Sequence, residues 1–322
     1  MALKLNKYQR FVLIVYLSFL TILSFLVISY HGYEYLYEDE IVENAFLEIG
    51  ESDNPHTTSQ NIILWEWRTF ISPYSYAKIN GSNGKFGLYN INEKYYFYTK
   101  GLSVPWIITF KTANCGEYSN IYVYLMNKKG IDARCVGAPG EDHQWAEYYV
   151  NGTKYIVDPS AMLFNISDTE RFAEDKNWSY VWSYYPDNVS SINDVSDEYI
   201  NRGAVNITIL ENGKPIKALV WIKSPYLMKV MPNHYNTPKL IMYNLTDGNG
   251  NINYKLGEKE YIIDIIKVNY DLGNNHYLFD TNTYTSKFNV SLNESKEINV
   301  DITEEKGELK LINMGYSFYE VK

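Results

Sequence analysis

From Phe11 to Tyr30 the chain reads FVLIVYLSFLTILSFLVISY, with no charged side chain in it. A segment this apolar must pair its own backbone N–H and C=O groups, and in lipid a single segment does so as a helix. At about 1.5 Å per residue the run is about 30 Å long, the thickness of a bilayer's hydrocarbon core. Lys4, Lys7 and Arg10 precede it, while Glu34, Glu38, Asp39 and Glu40 follow. The positive-inside tendency then leaves the amino terminus in the cytosol and the bulk of the chain outside the cell. A cleaved signal peptide is the alternative; it calls for a shorter apolar region and an Ala-x-Ala-like site, which this sequence lacks.

The remainder of the 322 residues has room for roughly two domains of about 100–200 residues. With 29 Lys+Arg against 38 Asp+Glu, a net charge of −9 and no basic stripe, binding to a phosphate backbone has nothing to start from, so no nucleic acid partner is expected. Two cysteines, Cys115 and Cys135, exclude a multi-bridge scaffold and a cysteine-based zinc site. A bridge between these two is conceivable, but a helix of about four turns between them would hold them too far apart; both read as free thiols. Nine Asn-x-Ser/Thr sequons, at Asn80, Asn151, Asn165, Asn177, Asn188, Asn206, Asn244, Asn289 and Asn293, suit an exported glycoprotein. Accidental sequons in an Asn-rich chain are the competing reading.

Tyr33 to Gly50 has near-helical apolar spacing and an acidic opposite face, which predicts a helical stalk or a solvated linker. Asn61 to Tyr74 predicts a core helix ended by Ser72-Pro73, followed by a Gly/Asn/Lys-rich loop near Asn80 to Lys85. Behind Cys115, the apolar side chains Tyr118, Ile121, Tyr122, Leu125 and Met126 recur at helical offsets, and Gly130 supplies a stop. Cys115 therefore opens a helix, where unpaired N–H groups and the macrodipole favour a thiolate nucleophile.

Ile131 to Val136 alternates as a strand. Farther on, Val150 and Thr153 flank Asn151-Gly152, a two-residue type I′ hairpin signal, so residues whose numbers sum to 303 face one another. Trp145 then faces Asp158, and His143 has Asp158 as its diagonal neighbour on the same face, at about 7–8 Å between backbones. A thiol, an imidazole and a carboxylate are the parts of a nucleophile, its base and the group that orients the base. Singly each has an ordinary explanation, since Asp-Pro is a common turn, a lone His is usually structural and Cys is often buried. Together they predict catalysis by Cys115, His143 and Asp158, with no metal and no organic cofactor.

The run Asn114-Cys115-Gly116-Glu117-Tyr118-Ser119-Asn120, then Gly130-Ile131-Asp132-Ala133-Arg134, then Asp142-His143-Gln144-Trp145-Ala146-Glu147, then Val157-Asp158-Pro159 resembles the transglutaminase-like cysteine enzymes. Within them it looks most like the peptide:N-glycanase branch, and the likeness extends from about Asn61 to Arg202. The resemblance implies an α+β, papain-like core in which a helix bearing the cysteine packs on an antiparallel sheet. It makes Cys115 the nucleophile, His143 the base and then acid, and Asp158 the orienting carboxylate. An upstream Trp near the oxyanion is common in that family, with Trp65 or Trp67 as matches, and Trp145 joins them as a candidate for the cleft. The paired Cys-x-x-Cys zinc ligands of the cytosolic branch are absent here, so glycan cleavage does not follow from the likeness.

From Ala204 onward alternating strands and the turn signals Asn212-Gly213 and Asp247-Gly248-Asn249-Gly250 predict an antiparallel β-sandwich. Its Gly213 to Val220 run, Thr246 to Gly250 and Glu260 to Ile263 resemble carboxypeptidase-regulatory-like modules, implying a spacer or a docking surface. The domain reading is thus a cytoplasmic tail (1–10), an anchor (11–30), a stalk or linker (31–60), a transglutaminase-like catalytic domain (61–202) and a β-sandwich (203–322). The 32 tyrosines are potential sugar platforms but more often fill sheets and amphipathic surfaces. The expected function is a membrane-anchored, extracytoplasmic cysteine amide hydrolase acting on a protein, peptide or glycopeptide at the cell surface. A cross-linking acyl transferase and a non-catalytic surface-binding protein of the same fold are the rivals.

Overall fold

A computed structural model of the chain describes residues 6–72, 88–91, 93–97, 99–174, 176–186, 188–273 and 276–302. The loop expected near Asn80 to Lys85, the Asn80 sequon and the Pro73 helix stop lie outside these residues.

The apolar run and the acidic segment after it form one helix, α1 (Lys7–Ile49), with no proline to interrupt it. Among the described residues it is the one helix long and apolar enough to cross a membrane, a test that a signal sequence also passes. Its far end is no free spacer. Val42, Ala45 and Ile49 are buried in the first core, and Glu48 accepts the indole N–H of Trp65 at 2.8 Å.

Helix α2 (Pro55–Thr69) starts earlier than the Asn61 read from periodicity. Asn54 caps it, accepting from the N–H groups of His56 and Thr57 at 2.9 and 3.3 Å, and Pro55 sits at its first position, where a missing N–H costs nothing. A short hairpin, β1 (Leu88–Ile91) and β2 (Lys94–Phe97), and helix α3 (Val104–Phe110) lead into α4 (Cys115–Lys128).

Behind α4 lies a six-stranded antiparallel sheet in the order β6-β5-β4-β3-β7-β8, built from β3 (Ala133–Ala138), β4 (His143–Val150), β5 (Thr153–Asp158), β6 (Leu163–Ile166), β7 (Trp182–Tyr185) and β8 (Asn188–Asp194). Alternation divides its side chains between two cores. Cys135, Ala146, Tyr148 and Val157 pack with α2 and α4, while Val136, Trp145 and Ile156 pack with Trp178 and Tyr199. This is the α+β, transglutaminase-like arrangement expected of the sequence.

The last third is a sandwich. One sheet joins β9 (Arg202–Glu211), β10 (Lys214–Pro215), β13 (Asn251–Gly257) and β16 (Ser295–Asp301); the other runs β12 (Lys239–Leu245), β11 (Ala218–Ser224), β14 (Lys259–Gly273), β15 (His276–Val290). Asn212 and Gly213 both have positive φ, 51° and 73°, as the type I′ signal requires. The sandwich is not wholly antiparallel. After β15 the chain crosses to the opposite sheet, and β16 runs parallel to β9 from Ser295↔Ala204 to Asp301↔Leu210.

One core side chain is out of place. Glu66 on α2 is fully buried and neither carboxylate oxygen has a hydrogen-bond partner, so burial pushes its pKa well above the ordinary 4.5. The stability tied to the neutral carboxyl is fully present below 4.5 and is lost as pH rises toward the raised folded value. Glu66→Leu should therefore stabilise the protein by about 1–3 kcal/mol at neutral pH. Denaturant melts across pH should show that gain shrinking as pH falls to the unfolded value.

Candidate active site

Cys115 is the first residue of α4. The preceding Asn114 donates its N–H to the Glu117 carboxylate at 3.0 Å, which fixes where the helix begins and leaves the next N–H groups of the first turn without intrahelical partners. The Cys115 side chain is half-buried, whereas Cys135 is buried beneath the same helix, where its thiol donates toward Asn120 Oδ1 at 3.3 Å. Burial pushes the Cys135 pKa up, out of reach of ordinary thiolate chemistry.

The hairpin after it forms in the register its turn demands. Val150 pairs with Thr153, Glu147 with Ile156 and Ala146 with Val157, and Asn151 and Gly152 have φ of 49° and 78°. The ladder stops there. Trp145 and Asp158 do not pair as the arithmetic extended them, because Asp158 ends β5 and caps the turn Pro159–Ala161, while on the other edge it pairs with Leu163 of β6. The shared face survives that departure: His143 Nε2 lies 2.7 Å from Asp158 Oδ2.

Asp158 is itself held. Its Oδ1 accepts from Ser160 Oγ at 2.7 Å and from the Ala161 N–H at 3.2 Å, as the cap of the short turn Pro159–Ala161. The sequence Asp-Pro-Ser carries that signal, a capping acid followed by proline at the first turn position. The side chain of Asp158 is 4% exposed and that of His143 is 29% exposed. Burial alone would raise the Asp158 pKa, but the hydrogen bond and charge of His143, with Ser160 and Ala161, keep it below 3.8. Burial would lower the His143 pKa, yet the hydrogen bonds and charges of Asp158 and Cys115 raise it from 6.5 to about 10. With Nε2 on the carboxylate, Nδ1 is the nitrogen left for Cys115. The three side chains singled out in the sequence thus meet, and the arrangement can hold a proton on the imidazole at neutral pH beside a sulfur.

The tryptophans separate. Trp67 donates its indole N–H to Pro159 O at 2.5 Å, on the residue after Asp158. Trp65 is buried, with its N–H committed to Glu48, which removes it from the oxyanion candidates. Trp145 is fully buried and stacks on Trp178 at 4.3 Å; it backs His143, 5.9 Å away, and lines no open cleft. A cleft of about 760 Å³ lined by acidic residues such as Glu174, Glu198 and Glu258 includes none of the three central side chains. Among the described residues no cluster of His, Cys, Asp or Glu is arranged to hold a metal.

Other contributors could not be read from spacing. Gln144 donates to Gly116 O and Asn120 Oδ1, both at 3.2 Å, and to Tyr184 OH at 2.9 Å, tying the start of β4 to the first turn of α4. The sandwich grips the residues just before His143. Asp142, in the left-handed region at φ 52°, receives Tyr235 OH at 2.8 Å and Lys239 Nζ at 2.9 Å on Oδ2, and its carbonyl oxygen lies 3.9 Å from Cys115 Sγ. Glu141 is buried against Lys259 Nζ at 2.7 Å and against Ser179 N and Oγ, both at 3.1 Å. These partners lie up to 118 positions away, so no local pattern announces them.

Residues 83–159 match the family model of the transglutaminase-like superfamily. Two curated relatives are both named peptide-N(4)-(N-acetyl-beta-glucosaminyl)asparagine amidase. The one from Kluyveromyces lactis is 27% identical over 142 residues, 42% of this chain and 36% of the relative. The one from Eremothecium gossypii is 30% identical over 97 residues, 30% of this chain and 27% of the relative. The chain thus spans about a third of the length of the curated relatives it matches. A crystal structure titled as a TGase aligns over 55% of this chain and 39% of its own length, at 15% identity and a TM-score of 0.27.

The His143 ring should titrate near 10 when followed by NMR. In Asp158→Asn the carboxylate charge is gone, so the midpoint should fall back toward 6.5; a midpoint unmoved by the substitution would contradict the coupling described.

Proposed function

We propose that the chain is a membrane-anchored, extracytoplasmic cysteine amidase that cleaves an amide bond through a thioester. The observation that carries this reading is His143 held by Asp158 at 2.7 Å on one side, with Cys115 near enough to help raise the pKa of the ring. Supporting it are the transglutaminase-like match over residues 83–159 and the amidase names of two partial relatives.

The chemistry follows from the atoms. Cys115 Sγ, its proton passed to His143 Nδ1, attacks the amide carbonyl, and the carbonyl oxygen becomes an oxyanion. N–H groups at the very start of α4 are ready-made donors for it. Collapse of that adduct breaks the C–N bond as His143 gives its proton to the departing amine, leaving an acyl group on sulfur. Water then attacks the thioester, His143 accepts its proton, and the carboxylic acid leaves with the thiol restored. Asp158 keeps the ring oriented and stabilises its charged form throughout. Against the cost of burial, the hydrogen bond and charge of His143, with the Ser160 and Ala161 hydrogen bonds, keep that carboxylate ionised for the task.

The substrate class is an amide in a protein, peptide or glycopeptide at the cell surface, and the names of the relatives make an Asn-linked glycan amide the first to try. The superfamily match also favours a second reading, in which a lysine amine replaces water and a cross-link results. For placement, Lys7 and Arg10 before the apolar part of α1 and the acidic residues after it orient the helix with the amino terminus inside.

Purified full-length protein should react with a limiting thiol reagent at Cys115 well before buried Cys135. Cys115→Ala should lower amide turnover by about 10⁴-fold or more. Equal labelling of the two thiols, or turnover surviving the substitution, would refute the reading. Ammonia released with incorporation of a lysine analogue would select transfer over hydrolysis.

A further inference from the structure

We infer that α3 and its aromatic neighbours are a seat in the lipid headgroup layer, holding Cys115 close against the bilayer that α1 spans, so that the substrates served are membrane-anchored or juxtamembrane amides. This rests on the anchor reading of α1 proposed above.

The uncharged run closes at Tyr30, and Glu34 is the first acid after it. Helical rise therefore puts Tyr30 to Tyr33 at the boundary between hydrocarbon and headgroups. The folded domain meets α1 at this level. Trp106 of α3 stacks on Tyr30 with centroids 5.5 Å apart and on Tyr33 at 4.2 Å. Tyr33 OH pairs with Thr109 Oγ1 at 3.0 Å, the Ser103 N–H donates to Tyr30 OH at 3.2 Å, and Ser103 Oγ bonds Glu34.

The stack then runs outward, from Trp106 to Phe110 at 5.7 Å and from Phe110 to Phe97 at 5.3 Å. Phe110 and Phe97 remain 37% and 49% exposed. An exposed aromatic ladder joined to the end of an apolar helix has the composition of an interfacial belt, where rings with one apolar and one polar side are at home. In water it would be an uncovered apolar patch. The helix that reaches it identifies what covers it, the headgroup zone of the same bilayer.

The consequence for the site is a matter of reach. Cys115 follows Phe110 by five residues, at most about 18 Å of chain. A thiol held that close to headgroups meets amides displayed at the membrane surface before those of free proteins.

The test uses the full-length protein in phosphatidylcholine nanodiscs carrying bromines near either the glycerol end or the terminal end of the acyl chains. The emission lost on Trp106→Phe isolates the Trp106 signal. Glycerol-end bromines should remove most of that signal, and Trp106 emission untouched by either lipid overturns the seat. A second reporter, Phe19→Trp in the Trp106→Phe background, reads the anchor separately. Quenched by deep bromines while Trp106 is not, it leaves α1 spanning and the seat wrong; unquenched, it removes the anchor reading and the seat with it. Reach is read with a maleimide on a short headgroup linker, which should label Cys115. Phe110→Glu should reduce that labelling several-fold relative to a soluble maleimide, and Phe110→Tyr should restore it. Labelling by the soluble reagent alone would overturn the inference.

Discussion

The hydrogen bond from His143 to Asp158 is the contact around which the helix-and-sheet half of the molecule is arranged. A carboxylate as buried as Asp158 is costly unless a cation or hydrogen bonds offset its desolvation. Here the imidazolium, Ser160 and Ala161 do so together. The same carboxylate keeps a proton on a ring that burial would otherwise strip. Each group thus makes the other's charge tolerable. The sheet supplies the rest, because β4 and β5 bring the two side chains to one face and α4 delivers the sulfur at the edge they share.

Around this pair the structure adds constraints from both sides. Toward the proposed membrane, α1 runs unbroken into the core and α3 stacks against it, so the domain is coupled to the anchor without a flexible spacer. Toward the carboxyl end, the sandwich contributes Tyr235, Lys239 and Lys259 to the two acidic residues before His143. A module read from sequence as a spacer or docking surface is in this fold a clamp on the residues just before His143. Asp142 shows why a clamp is useful: a left-handed backbone on a non-glycine residue is uncommon and costs energy, and it persists where surrounding contacts hold it.

Much of this was legible before any coordinates. The Asn151-Gly152 turn and side-chain alternation were enough to place His143 and Asp158 on one face, since a two-residue turn fixes register and a period of two fixes sides. Helical spacing after Cys115 and the stop at Gly130 located α4. Reading failed where local signals were outweighed. The Trp145 and Asp158 pairing was lost because Pro159 turns the chain one residue too soon. The start of α2 was missed because a cap, Asn54-Pro55, defines it while the apolar period begins later. Strand β16 took a parallel partner because its neighbour is chosen by which sheet the chain crosses to.

The sequence by itself determined the elements whose causes are short-range: the long apolar helix, the cysteine at a helix start, the hairpin and its register. Tertiary structure alone decided which tryptophan bonds the Pro159 carbonyl and which is sealed away. It also decided that the sandwich holds Asp142, and that Trp106 meets α1 where its uncharged run ends. Those outcomes depend on packing between segments far apart along the chain, and residue order records neither the distance nor the direction of such contacts until the cores close.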